Sequence, residues 1–342
     1  MKKPALLMAC IVVVTISCWE IYLRSIGVDN SYDDGPPLWS AIRDEVYQDT
    51  SKAVVFIGSS RIKYDLDIAT WKSLTGKNAV QLSCVGSSPI PLLVDLANDE
   101  NFSGNLVIDV TEVLFFSGAP HFAETPNKAI KYYEDRSPAQ RASFLINKPL
   151  EATFCFLDKS NFSTNSMLDK LPISNREGVD AGPLFPMQFE RTNIERQSYM
   201  TEEFVADTNL QNRVKSIWDK LGKRAQGGTP QSAGALDTIL TNVKSSIDKI
   251  KARGGEVIFV RTPSSGRMFI GESMGFPKTK YWDRLLAETG CKGIYFLEHE
   301  SLSHFICAEN SHLSQPDAIK FTKALIPILE TETGWNLHKN SN

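Results

Sequence analysis

An α/β fold with a parallel sheet and crossover helices is what this sequence predicts, on three observations. Short apolar runs rich in β-branched residues recur without alternation, as in Val54-Val55-Phe56-Ile57 and Leu106-Val107-Ile108, which fits strands covered on both faces. Segments with apolar residues at helical spacing lie between them, such as Leu236, Ile239, Leu240, Val243, Ile247 and Ile250. The runs also stop at turn-forming residues, and the first stops at Gly58-Ser59-Ser60-Arg61. A chain of 342 residues has room for one large domain with an insertion, or for two modest ones.

The first segment is set apart. Lys2 and Lys3 precede an uncharged run from Pro4 to Trp19, and Glu20 and Arg24 follow near its far end. Residues 4–23 match the roughly 20 residues needed to cross a bilayer, so 1–26 reads as a single transmembrane anchor. The two lysines keep the N-terminus cytoplasmic and put the remainder outside, in a periplasm-like compartment. The competing readings are a cleaved signal peptide, giving a secreted chain, or a lipoprotein, since Thr15-Ile16-Ser17-Cys18 faintly resembles a lipobox.

Residues 27–52 follow as a spacer rich in Asp, Gly and Pro with a short helix over 38–46. The domain proper is expected from 53 to 335, with 336–342 as a tail. Its first strand covers 54–57, its first crossover helix 65–74, stopped by Gly76, and its second strand 79–83. Pro89 opens a helix to 97, and 106–110 make the third strand. Alternation then pauses: residues 117–229 read as a mostly helical insertion, with helical stretches over 128–133, 138–145 and 202–221 and a loop-rich part over 172–190. At the carboxyl edge of the sheet it would roof the site; the alternative is a surface excursion. Gln226-Gly227-Gly228-Thr229-Pro230 closes it. A helix ending at Gly254-Gly255, a fourth strand over 256–260, a helix over 278–288, a fifth strand over 293–297 and a last helix carrying Ile319, Leu325, Ile328 and Leu329 complete the pattern.

A net charge of −3 leaves no electrostatic footprint for nucleic acid. No zinc-like cysteine pairs, Gly-rich phosphate loop or EF-hand spacing occurs, so neither a metal nor another cofactor is expected. Cys291 and Cys307 bracket the last strand at a spacing that admits a disulfide; buried free thiols are the preferred reading.

Two stretches carry chemistry. Ser60 follows a strand and a turn, at the edge where open α/β sheets bind ligands. Far away, Glu309-Asn310-Ser311-His312 sets a carboxylate three residues before a histidine, an acid and base for a distant serine. The arrangement resembles the SGNH/GDSL hydrolase superfamily. Gly58-Ser59-Ser60 stands for its Gly-Asp-Ser turn, with Ser59 in place of Asp; Gly86, after the second strand, for its second-block glycine; Glu309 and His312 for its Asp-x-x-His. The third-block asparagine has no counterpart, since Thr111-Glu112-Val113 follows the third strand.

The resemblance implies a flavodoxin-like three-layer α/β/α sandwich and a Ser60-His312-Glu309 triad, with the backbone amides of Ser60 and Gly86 facing the oxyanion. It implies an esterase or O-acyltransferase acting on acyl, above all acetyl, esters of envelope carbohydrate or lipid. A polytopic membrane O-acyltransferase is the partner it suggests. Arg61, Arg261 and Glu112 are candidates for substrate binding or for completing the site, with ion pairs (a surface salt bridge for the arginines) as the alternative. His299 and His304 either line the cleft or are merely solvated, and Tyr281 and Trp282 either stack on sugar or, the preferred reading, pack their helix. The rival reading is a non-catalytic anchored module of this fold that binds glycan or a membrane partner.

Overall fold

The computed structural model describes residues 2–47, 53–171, 184–226 and 234–337. Helix α1 (Lys2–Ser25) is long and apolar enough to cross a membrane. Helix α2 (Pro36–Asp44) leads to strand β1 (Val54–Ile57), which is buried at every position. Helices α3 (Ser60–Asp65) and α4 (Ile68–Thr75) follow, where one helix over 65–74 was expected. The break is built in: Leu66 is extended, and Asp67 caps α4 by accepting the Thr70 N–H.

Strand β2 (Ala79–Gln81), helix α5 (Ile90–Asn98), strand β3 (Asn105–Asp109) and helix α6 (Glu112–Phe116) come next. The insertion carries α7 (Glu124–Asp135), α8 (Pro138–Thr153), α9 (Lys159–Phe162) and α10 (Thr164–Asp169). It continues with the antiparallel pair β4 (Arg191–Thr192) and β5 (Ser198–Tyr199), absent from the sequence reading, and with α11 (Glu202–Ala206) and α12 (Thr208–Gln226). After it lie α13 (Ala235–Ala252), β6 (Glu256–Arg261), α14 (Gly266–Gly275), α15 (Trp282–Thr289), β7 (Lys292–Tyr295), α16 (Glu300–Ser303) and α17 (Gln315–Thr333). Most of the expected loop over 172–190, the Gly227-Gly228 closure and the tail from 338 lie outside the described residues.

The protein is therefore α/β, with a five-stranded parallel sheet ordered β2-β1-β3-β6-β7. Helices α2, α5, α7, α13 and α15 contact one another in one set; α3, α4, α16 and α17 form another. The main core joins both sets to the sheet, from Trp39 and Val54 through Phe259 to Leu337. Leu337, placed in the tail by the sequence reading, is fully buried in it.

Contacts also place the insertion and the spacer. Helix α7 packs against α2 and α5, so the first part of the insertion flanks the domain instead of roofing it. The spacer is no loose tether: the Tyr32 N–H donates to the Thr192 carbonyl, Ser31 Oγ accepts from the Thr192 N–H, and Asp34 pairs with Lys63 and Arg196. Hydrogen-bonding groups along these residues find partners on the insertion and on α3, which holds the chain down from the end of α1 onward.

Candidate active site

The site grows from the carboxyl ends of β1, β2 and β3. Glycine at position 58 is a matter of space: a Cβ there would meet both Asp109 Cβ and Ile62 Cγ2 at 2.7 Å. Without it β1 could not run so close to β3 and still turn into α3. Ser60 then sits half-exposed in the first turn of α3, where a backbone N–H has no intrahelical acceptor. The β2 loop runs beside this turn, since the Cys84 N–H donates to the Gly58 carbonyl. Gly86 lies two residues on, exposed, with φ of 61°, a conformation glycine adopts without steric cost.

The histidine loop is fastened to the same helix. Leu313 N–H donates to Asp65 Oδ1 at 2.9 Å, and Arg61 Nε to Ser311 Oγ at 3.4 Å. His312 Nδ1 lies 2.7 Å from Glu309 Oε1, which also accepts the His312 backbone N–H at 2.7 Å. Glu309 thereby fixes the ring from behind and sets Nδ1 as the protonated nitrogen. His312 is only 1% exposed, and its Nε2 is buried without a hydrogen-bond partner. No hydrogen bond joins it to Ser60 among the described residues. The Oγ of Ser59, also buried, has no partner either.

What surrounds the imidazole comes largely from the insertion. Tyr64, one helical turn after Ser60, lies 4.4 Å from the His312 ring between centroids; Phe189 and Trp218 stand at 5.9 and 6.1 Å. Trp218 Nε1–H donates to Glu309 Oε2, so α12 supplies the second support of the acid. Burial, reinforced by the charges of Glu190 and Glu309, pushes the Tyr64 phenol well above its ordinary value and keeps it neutral. Sequence reasoning missed Tyr64, Phe189 and Trp218: on α12 an aromatic at helical spacing reads as core, and nothing local couples position 218 to 309.

Of the two readings of Arg61, Arg261 and Glu112, ligand contact and ion pairing, the contacts show the second, with all three side chains buried rather than at the surface. Glu112 bonds Arg261 Nε at 2.9 Å and sits 3.9 Å from Arg61; Glu272, on the unforeseen α14, bonds both arginines and Ser264 Oγ. Both arginines are about 1% exposed. Two cations and two anions out of water stay ionised only in such mutual contact. Burial opposes the charge on Glu272, but Arg61 and Arg261 outweigh it and hold its carboxyl below the usual range. Asp65 and Asp109 border this cluster, and burial raises both carboxyls, Asp65 strongly.

Other expectations settle elsewhere. His299 and His304 line a shallow depression with Ile328 of α17, about 20 Å along that helix from the end that follows His312, so they do not line the cleft. Tyr281 and Trp282 are buried packing residues, as preferred over sugar stacking, and Cys291 and Cys307 are the free, buried thiols that the sequence favoured. Among the described residues no cluster suits a metal ion. No protein-family model and no curated protein sequence matches the chain. The site holds an imidazole oriented by Glu309, its Nε2 buried and unpartnered, in a loop fastened to the helix that begins at Ser60.

Proposed function

We propose that this protein is a membrane-anchored serine esterase or O-acyltransferase of the SGNH/GDSL type. In this reading Ser60 attacks an ester carbonyl, His312 Nε2 takes its proton, and Glu309 stabilises the imidazolium. The backbone N–H groups of Ser60 and Gly86 face the oxyanion. The acyl-enzyme is resolved by water or by a sugar hydroxyl, which makes hydrolysis and transfer two outcomes of one chemistry. The observation that carries the reading is the buried Glu309–His312 pair, its Nε2 free of any hydrogen-bond partner, in a loop fastened to the helix that begins at Ser60. The strand order β2-β1-β3-β6-β7 supports a flavodoxin-like α/β/α sandwich, in which ligands bind at the carboxyl ends of the strands.

Lys2 and Lys3 before α1 support an N-terminus on the cytoplasmic side and a domain outside the membrane. Substrates there are acyl esters of envelope glycan or lipid, and a polytopic acyl donor is the natural partner of a transferase. With Glu112 committed to arginines, the oxyanion site has two backbone donors and no asparagine. A missing donor costs about 2.7 to 4 kcal/mol of transition-state stabilisation, so slow turnover is expected. The covered histidine and the absent Ser60–His312 bond favour one second reading, a non-catalytic binding module. A fluorophosphonate probe and p-nitrophenyl acetate separate the two. Labelling lost in Ser60→Ala and His312→Ala but kept in Ser59→Ala supports the enzyme; an unlabelled, folded wild type supports the module. Added acceptor sugars then divide transfer from hydrolysis.

A further inference from the structure

The outer end of α1 is bolted to the insertion. Cys155 donates to Glu20 through both its N–H, at 3.1 Å, and its Sγ, at 3.3 Å, while Arg24 donates to the Thr153 carbonyl at 3.0 Å. Asn30, just beyond α1, donates to the Glu151 carbonyl, and Leu23 and Val28 form a small core with Cys155, Phe156 and Phe162. At the same level α1 exposes Trp19 and Tyr22, residue types that favour the membrane–water interface. Thr153 is the last residue of α8, so α8 ends at the height where the chain leaves the bilayer.

From that point α8 carries an unpartnered apolar stripe. Ala142, Leu145, Ile146, Pro149 and Leu150 recur at helical spacing and all are exposed, Leu145 at 68% and Ile146 at 65%. Arg141 and Lys148 flank it, also exposed. The other face of α8, through Phe144, Asn147 and Glu151, borders Asp33, Pro37 and Leu38, so α8 runs beside the segment that leaves α1. On the far side of the Cys155 turn, Met167, Leu168 and Leu171 are likewise exposed. Exposed apolar side chains grouped in this way mark protein or membrane contacts.

We propose that α8 and the exposed residues of 167–171 form a second membrane contact, lying in the interfacial layer of the leaflet that α1 crosses, with lipid as the occupant. Its composition suits that layer: one apolar face and cations at its border whose alkyl stems reach along it. Continuity with α1 decides the occupant, because the stripe begins one turn from residues hydrogen-bonded to the anchor itself. The domain is thereby held against the bilayer at two places, which limits its substrates to those presented at or near the membrane surface. The inference rests on the anchor reading of α1.

The test reconstitutes the full chain, with Cys10→Ser and Cys18→Ser, into vesicles of phosphatidylcholine and phosphatidylglycerol. A nitroxide is attached at Ile146→Cys, Leu168→Cys, Val12→Cys or Lys131→Cys in turn, and its collisions with oxygen and with a water-soluble nickel chelate are compared. Sites 146 and 168 should shift toward oxygen, as Val12 in α1 does, while Lys131 on the flanking α7 favours nickel. If 146 and 168 match Lys131 while Val12 reads as lipid, the second contact is wrong and the anchor stands. Shielding of 146 and 168 from both agents, with restricted probe motion, would instead show protein on the stripe and overturn the lipid assignment. A Val12 that meets nickel freely removes the anchor and the proposal together. Each labelled side chain is exposed, so no variant removes a packed core residue.

Discussion

Replacing Trp218 with phenylalanine tests whether the insertion holds the Glu309 carboxylate in place. Glu309 is fully buried, and its Oε2 accepts from Trp218 Nε1–H alone among the described residues, while Oε1 serves His312 and the Ser311 N–H. Phenylalanine keeps a ring against Phe185, Phe189 and His312 but withdraws the donor. A hydrogen bond to a charged group contributes about 1.5 to 3 kcal/mol, and the smaller ring gives up roughly 1 kcal/mol of apolar burial. The variant should therefore lose about 2.5 to 4 kcal/mol, read as a lower urea midpoint at unchanged slope. Ser60 should also react more slowly with the fluorophosphonate, since a carboxylate free to turn no longer fixes the imidazole. Phe189→Leu, which trims packing and keeps the donor, is the control. A Trp218→Phe chain within about 0.5 kcal/mol of wild type, with unchanged labelling, would refute the clamp.

Two other perturbations probe the ground beneath the site. Gly58→Ala puts a methyl within 2.7 Å of Asp109 Cβ and Ile62 Cγ2; forcing the strand end and α3 apart should cost about 1 to 3 kcal/mol in urea denaturation, and a neutral effect would remove the close-approach argument. Asp65 is raised well above 3.8 by burial, which the Leu313 N–H and Arg61 only partly offset. The folded state thus favours the protonated acid, and its advantage is full below about pH 3.8 and lost as pH climbs toward the folded-state value. Against Asp65→Asn, which does not titrate, wild type should lose up to about 1.4 kcal/mol per pH unit across that window. A difference that stays flat with pH in paired denaturation curves would show that Asp65 is not so shifted.

Much of this was legible in the sequence because it is local. The strands read at 54–57 and 106–110 announce themselves by short apolar runs rich in β-branching, α13 by its apolar stripe, and the pairing of Glu309 with His312 by three residues of separation in one loop. The length of α1 needed only a count of apolar residues. The sequence left the outcome open where a local pattern has two tertiary uses. Arg61 and Arg261 sit at strand ends, as ligand-binding arginines would, but α14 brings Glu272 to them, and a buried guanidinium with two carboxylates in reach has no charge to spare for a ligand. The spacer has a linker's composition, yet Asp34 meets Lys63 and Arg196 from segments far away in sequence.

By itself, then, the sequence determined the alternation of strand and helix, the membrane-length helix and the short spacing of Glu309 from His312, since propensity, periodicity and short spacing are properties of neighbouring residues. Only the tertiary structure decided what surrounds them. Trp218 under Glu309, Phe189 over His312, the arginine–glutamate quartet and the apolar face of α8 beside the end of α1 are contacts across tens to hundreds of residues. Burial and the pairing of charge are set by the whole fold, and no window of sequence contains them.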